Sequence, residues 1–197
     1  MKVNSMIVGV LLAGGMSSRY GSPKAFARLN GEHFYEIAYK ALESVCQHVI
    51  IVTRQELIAW FQSDLHIIVD HPLYVGDGPL AGIYSAMEHV EADTYVVLPC
   101  DMPLITVHVL DHLVNCHENN VSVAAYNGKI QPLVSVWNYN MKNNIYIALE
   151  NRQFKMKEFL SKVRAKQVAM DDLIQKEVFM NINTPENKKE LRKWKLS

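Results

Sequence analysis

A near-continuous apolar run, Met6-Ile7-Val8-Gly9-Val10-Leu11-Leu12-Ala13, empties directly into Gly14-Gly15. A run of this length without polar alternation predicts a strand buried on both faces, which requires helices on both sides of a mostly parallel sheet. The loop that follows carries Ser17, Ser18, Arg19, Gly21, Pro23 and Lys24. Glycines let backbone N–H groups converge on an oxyanion, and Arg and Lys neutralise its charge, so the loop has the makings of a phosphate cradle. Pro23 fixes its own φ and aims Lys24. A Walker A loop is excluded because Gly15 to Gly21 is one residue too long and Ser22-Pro23 precedes the lysine. A dinucleotide fingerprint is excluded because Gly14-Gly15-Met16 lacks its G-x-G-x-x-G spacing.

The chain has 197 residues, 49% of them hydrophobic and 20% charged, enough for a full core in a single domain spanning 1–197. Lys plus Arg and Asp plus Glu are both 20, so no basic field argues for nucleic acid. Cys46, Cys100 and Cys116 show no C-x-x-C spacing, which points to a reducing cytoplasm rather than a disulfide framework. The first apolar run is too short to span a bilayer and lacks an A-x-A cleavage site, so neither a membrane anchor nor secretion is expected.

Helical spacing recurs at Phe34, Ile37, Ala38, Ala41, Leu42 and Val45, at Ile83, Ala86, Met87 and Val90, and at Val107, Leu110, Leu113 and Val114. Strands are expected at 48–52, 65–69, 95–99, 121–126, 132–137 and near 166–170. Gly78-Pro79 opens a helix with proline where its missing N–H is harmless. Two further helices are expected at 141–149 and 157–163, and the alternation predicts a three-layer α/β/α fold with right-handed crossovers. The Asn127-Gly128 turn signal joins two strands as an antiparallel edge. The chain closes on Phe179-Met180-Asn181-Ile182-Asn183, then Thr184 and Pro185 as a helix start. Read as a strand, that segment would point Asn181 and Asn183 the same way.

Ligands of open α/β sheets lie beyond the carboxyl ends of the strands. The loop with Arg19 and Lys24, Asp70 after one strand and Asp101 after another all fall there. Mg²⁺ favours one or two carboxylates plus phosphate oxygens and water, so this set suggests a nucleoside triphosphate–Mg²⁺ site with Asp101 on the metal.

These residues resemble a specific family. Leu12-Ala13-Gly14-Gly15-x-Ser-x-Arg19-x-Gly21-x-x-Lys24 is similar to the N-terminal motif of nucleotidyltransferases with a Rossmann-like fold. Asp70 with Gly78-Pro79-Leu80-Ala81-Gly82, Pro99-Cys100-Asp101-Met102-Pro103, Gln131-Pro132-Leu133 and Asn181-Ile182-Asn183-Thr184-Pro185 match the molybdenum cofactor guanylyltransferase branch in order. The resemblance implies transfer of GMP from GTP to molybdopterin, with Mg²⁺ as cofactor. It also implies transient contacts with cofactor-biosynthesis proteins and target molybdoenzymes. By the same resemblance, Leu12, Ala13, Gly14 and Gly15 line the guanosine side with Asp70. Arg19 and Lys24 meet phosphates, Asp101 holds the metal, and Asn181 and Asn183 meet the pterin. It further implies a nucleotide half over about 1–105 and an acceptor half over about 106–197. One departure is Val52-Thr53-Arg54, where some members carry an asparagine that contacts the nucleotide.

The alternatives are a cytidylyl-transferring or sugar-phosphate nucleotidyltransferase, or a non-catalytic adaptor in cofactor delivery. The cytidylyl relatives tend to have alanine at the place of Gly14. His108, His112 and Cys116 share a helix face, but their span exceeds the reach of one zinc ion. Cys100 has no base partner and reads as a small buried side chain.

Overall fold

The computed structural model describes residues 5–15, 23–118, 120–174 and 176–182. Strand β1 (Ile7–Leu12) realises the opening apolar run. Two short strands, β2 (Arg28–Leu29) and β3 (Glu32–His33), pair across Asn30 and Gly31, whose φ angles of 54° and 93° meet the left-handed demand of a tight Asn-Gly turn. Next come α1 (Phe34–Glu43), β4 (His48–Thr53), a 3₁₀ turn at Gln55–Trp60 and β5 (Ile67–Val69). A second 3₁₀ turn at Pro72–Tyr74 breaks what the sequence presents as a plain loop. Helix α2 (Pro79–His89) then leads to β6 (Thr94–Pro99) and α3 (Val107–Asn115). The remainder is β7 (Val121–Tyr126), β8 (Lys129–Asn138), α4 (Lys142–Glu150), α5 (Met156–Lys162) and β9 (Lys166–Ala169).

Seven strands form one sheet in the order β5-β4-β1-β6-β8-β7-β9. β1 is parallel to β4 and β6, β4 to β5, and β7 to β9, whereas β8 is antiparallel to both β6 and β7. The mostly parallel three-layer α/β/α reading is borne out, with one correction. The antiparallel strand is not at the edge; it lies inside the sheet, and β9 forms that edge. The physical reason is burial: Val134, Ser135, Val136 and Trp137 are all 0% exposed, so β8 must be covered on both faces and flanked on both sides.

Successive β1 side chains point to opposite layers. Leu11 joins the core formed with Leu42 of α1 and Leu110 and Leu113 of α3. Val8 and Val10 join the core formed with Ile83 and Met87 of α2, Ile145 of α4 and Phe159 of α5. Gly9 admits α1 at close range, since a Cβ there would lie 3.1 Å from Leu42 Cβ and 3.2 Å from Val49 Cγ2. A third, smaller cluster of Ala27, Leu29, Phe34 and Ile182 fastens the late chain to the β2–β3 hairpin. Residues 179–183 therefore differ from the strand expected. Lys176–Phe179 is a 3₁₀ turn, residues 180–182 are irregular, and Asn183 and the helix start beyond it lie outside the described residues. Among the described residues, no helix is long and apolar enough to cross a membrane.

Candidate active site

The carboxyl ends of β1, β4, β5 and β6 meet around residues 12–15. Leu12 O accepts from Cys100 N at 3.1 Å, and Ala13 N donates to Val52 O at 2.8 Å, so the exit of β1 is stitched to β6 on one side and β4 on the other. The Thr53 hydroxyl adds a bond to Ala13 O at 3.3 Å. Nothing in the sequence pattern singled out Thr53, because its role depends on register between two strands. A Cβ on Gly14 would sit 3.6 Å from Arg54 Cγ and from Thr53 Cα, an ordinary packing distance, and one on Gly15 would meet nothing within 4 Å among the described residues. Among the described residues, the Cβ direction of Gly15 is thus open, whereas that of Gly14 packs on Thr53 and Arg54. This packing places Arg54, part of the departure from the family pattern, against Gly14.

Lys24, opening a 3₁₀ turn behind Pro23, reaches Asp101 beyond β6, with Nζ to Oδ2 at 2.9 Å. Their side chains keep 18% and 21% exposure, so the pair is accessible to an incoming charged group. The sequence placed both residues at one sheet end but not in contact, because each belongs to a different motif. Ile182 N donates to Asp101 O at 2.9 Å. That bond ties the backbone next to Asn181, which is exposed, to the backbone of Asp101.

Asp70 follows β5 and accepts from Gly76 N at 3.2 Å. Burial raises its pKa above the usual carboxylate value; the Gly76 bond opposes this and the nearby Asp77 charge adds to it. Gly82 of α2 lets this corner close up, since a Cβ there would lie 2.9 Å from Leu12 Cδ2, 3.5 Å from Val52 Cγ1 and 3.7 Å from Asp70 Oδ1. Leu12, Asp70 and Gly82 therefore share one wall. Gly78, with φ 85°, adopts the left-handed backbone that turns the chain into α2. Cys100 is 6% exposed, and burial pushes its thiol up to about 12, which suits packing rather than nucleophilic work.

The raised pKa of Asp70 carries a stability prediction. A carboxyl that holds its proton more tightly when folded loses stability as pH rises from its ordinary value of 3.8 through the raised folded value, and the penalty persists above it. Asp70→Asn keeps an oxygen for Gly76 N and removes the buried charge. It is expected to raise the melting temperature at pH 7 while leaving it unchanged well below pH 3.8. Equal melting temperatures at both pH values would contradict the assignment.

Of the remaining expected site residues, Arg19 and Asn183 lie outside the described residues, as do Ser17, Ser18 and Gly21. The structure brings together Leu12, Ala13, Gly14, Gly15, Lys24, Asp70, Asp101 and Asn181 at one end of the sheet. Among the described residues, no three His, Cys, Asp or Glu side chains already close on a metal ion. Asp101 alone supplies an accessible carboxylate opposite a cation, a donor set that suits a hydrated Mg²⁺ sharing its shell with phosphates rather than an all-protein cage. A recess of about 470 Å³ lined by Asn120, Asn140, Asn144, Phe159 and Lys162 lies at the other end of the sheet, and none of these catalytic candidates lines it.

The model of the MobA-like NTP transferase domain matches residues 9–168. A protein of Bacillus cereus called a probable molybdenum cofactor guanylyltransferase is 37% identical over 183 residues, covering 90% of this chain and 92% of the relative. One of Geobacillus sp. with the same description is 38% identical, covering 91% of this chain and 94% of the relative. The crystal structure of molybdopterin-guanine dinucleotide biosynthesis protein A from Archaeoglobus fulgidus superimposes with a TM-score of 0.78 at 23% identity, over 97% of this chain and 99% of that one. At that identity the likeness speaks for the nucleotidyltransferase fold alone.

Proposed function

The chain belongs to the MobA-like NTP transferase family, and on that footing we propose that it transfers GMP from GTP to molybdopterin, releasing pyrophosphate. The observation that carries this reading is the accessible Lys24–Asp101 pair set across the glycine-rich exit of β1. A cation for phosphates and a carboxylate for their metal stand together where open α/β sheets bind ligands.

An oxygen of the molybdopterin phosphate attacks the α-phosphorus of GTP in line. One P–O bond forms, the bond from Pα to the bridging oxygen breaks, and the electron pair leaves with pyrophosphate. A phosphate monoester is already largely ionised near neutral pH, so no strong general base is needed, and positioning and charge neutralisation dominate. Lys24 and Arg19 hold phosphate oxygens, and the amides of Gly14 and Gly15 approach the nucleotide along the glycine backbone. Asp101 would hold Mg²⁺, which would supply neutralisation of the charge that develops on the phosphates. Asp70 and Leu12 bound the nucleoside side, while Asn181 and Asn183 are assigned to pterin binding. In this division, about 1–105 forms the nucleotide half and about 106–197 the acceptor half. Reaction in the cytoplasm, with cofactor-biosynthesis proteins and molybdoenzymes as transient partners, accords with a reduced, cysteine-poor chain.

The test supplies the protein with Mg²⁺, molybdopterin and either GTP or CTP and follows pyrophosphate release. GTP-dependent turnover is expected; binding without turnover would favour an adaptor, and a preference for CTP would overturn the guanine assignment. Gly14→Ala sharpens the same point. Its methyl meets protein atoms only at ordinary distance, so the variant should fold with an unchanged melting temperature. The expected result is a higher KM for GTP than in the parent and a smaller preference over CTP.

A further inference from the structure

Far from that site, the topology brings two imidazoles together. β4 and β5 run in parallel register, with Val52 opposite Ile68. His48, Ile50 and Val52 therefore share a sheet face with Ile68 and His66. It is the face covered by α2, since Ile50, Val52 and Ile68 pack with α2 residues. α2 returns from the carboxyl end of the sheet to the amino end, and its last residue, His89, comes down beside His66. The two Nε2 atoms lie 3.0 Å apart, with ring centroids at 5.0 Å and planes crossing at 61°. Both side chains are exposed, and so is that of His48.

We propose that His66 and His89 form a binding site for a borderline divalent transition-metal ion such as Zn²⁺ or Ni²⁺, at the sheet end opposite Asp101. Two imidazole nitrogens on a tetrahedral Zn²⁺ with Zn–N of ~2.0–2.1 Å stand roughly 3.3 Å apart, so the rings need to part by only a few tenths of an ångström. Neutral imidazole is the favoured nitrogen ligand for such ions. Burial, first among the causes, holds His66 below the usual histidine pKa. The partial negative charge at the C-terminus of α2 favours a cation there. Water fills the remaining positions, with His48 near enough to exert its charge on His66.

The test titrates tag-free full-length protein with ZnCl₂ or NiCl₂, reading heat, histidine ring NMR signals and the melting temperature, with MgCl₂ as control. One equivalent is expected to move the His66 and His89 ring signals first and to raise the melting temperature. His66→Ala and His89→Ala should each weaken binding by more than the ~10-fold lost when only an outer partner of a ligand is removed. His48→Ala should weaken it less, and pyrophosphate release should be unchanged in all three. The competing pair is His112 of α3 and Cys116 at its C-cap, with Sγ 3.6 Å from Nε2. If binding is lost in Cys116→Ser and retained in His66→Ala and His89→Ala, or if excess Zn²⁺ and Ni²⁺ leave the His66 and His89 signals in place, the proposal is overturned.

Discussion

Asp101→Ala is expected to lower guanylyl transfer at least ~100-fold, the scale of one lost electrostatic stabiliser at a reacting phosphate. The carboxylate stands 2.9 Å from Lys24 Nζ and retains 21% exposure. On the proposed reading, its removal leaves the lysine in place and would deprive the metal of its protein anchor. The loss should fall on kcat, because the charge it helps to neutralise grows in the transition state. Folding should be little affected. The contact that ties Asp101 to the late chain is Ile182 N to its backbone oxygen at 2.9 Å, and alanine keeps that oxygen. Asp101→Asn, with the same size and no charge, should behave alike. Near-normal turnover in either variant, with an unchanged melting temperature, would remove Asp101 from the metal role.

Trp137→Ala should be the most destabilising single substitution among those considered, at about 3–5 kcal/mol. Trp137 is fully buried in β8, between Tyr95 of β6 and Val121 of β7. Its ring stacks on Phe159 of α5 at 5.8 Å and 27°, and its Nε1 donates to Ser135 Oγ at 2.8 Å. Truncation opens a cavity between the sheet and α5 and leaves the Ser135 hydroxyl, itself 0% exposed, without that donor. Against a typical total of ~5–15 kcal/mol, such a loss takes a large share of the stability. Chemical denaturation of the two proteins measures it. A difference below ~1 kcal/mol would mean that β8 is not an internal strand.

The layered architecture was legible because its strands are near-continuous apolar runs separated by helical spacing and Asn-Gly turns, signals that act locally. The place of β8 was not, since hairpin connectivity alone does not say on which side a third strand adds. The edge expectation rested on the Asn127-Gly128 turn alone, and the structure overrides it by burying four consecutive residues from Val134 to Trp137. Asp70, Asp101 and the β1 loop were legible as a site from residue type and strand-end position. The Lys24–Asp101 contact and the Thr53 bond to Ala13 were not, because both are set by register between elements far apart in sequence. The irregular course of residues 180–182 follows from Ile182, which is 0% exposed among Ala27, Leu29 and Phe34, and from its bond to Asp101. Tertiary contacts there override the alternation that reads as a strand.

The most direct measurement is a crystal structure of the protein with Mg²⁺ and a non-hydrolysable GTP analogue. The triphosphate is expected over residues 13–15, with the ion on the Asp101 carboxylate and Lys24 Nζ moved from its 2.9 Å contact with Asp101 onto a phosphate oxygen. A nucleotide bound at another face, or an ion-free Asp101 still paired with Lys24 beneath it, would contradict that expectation.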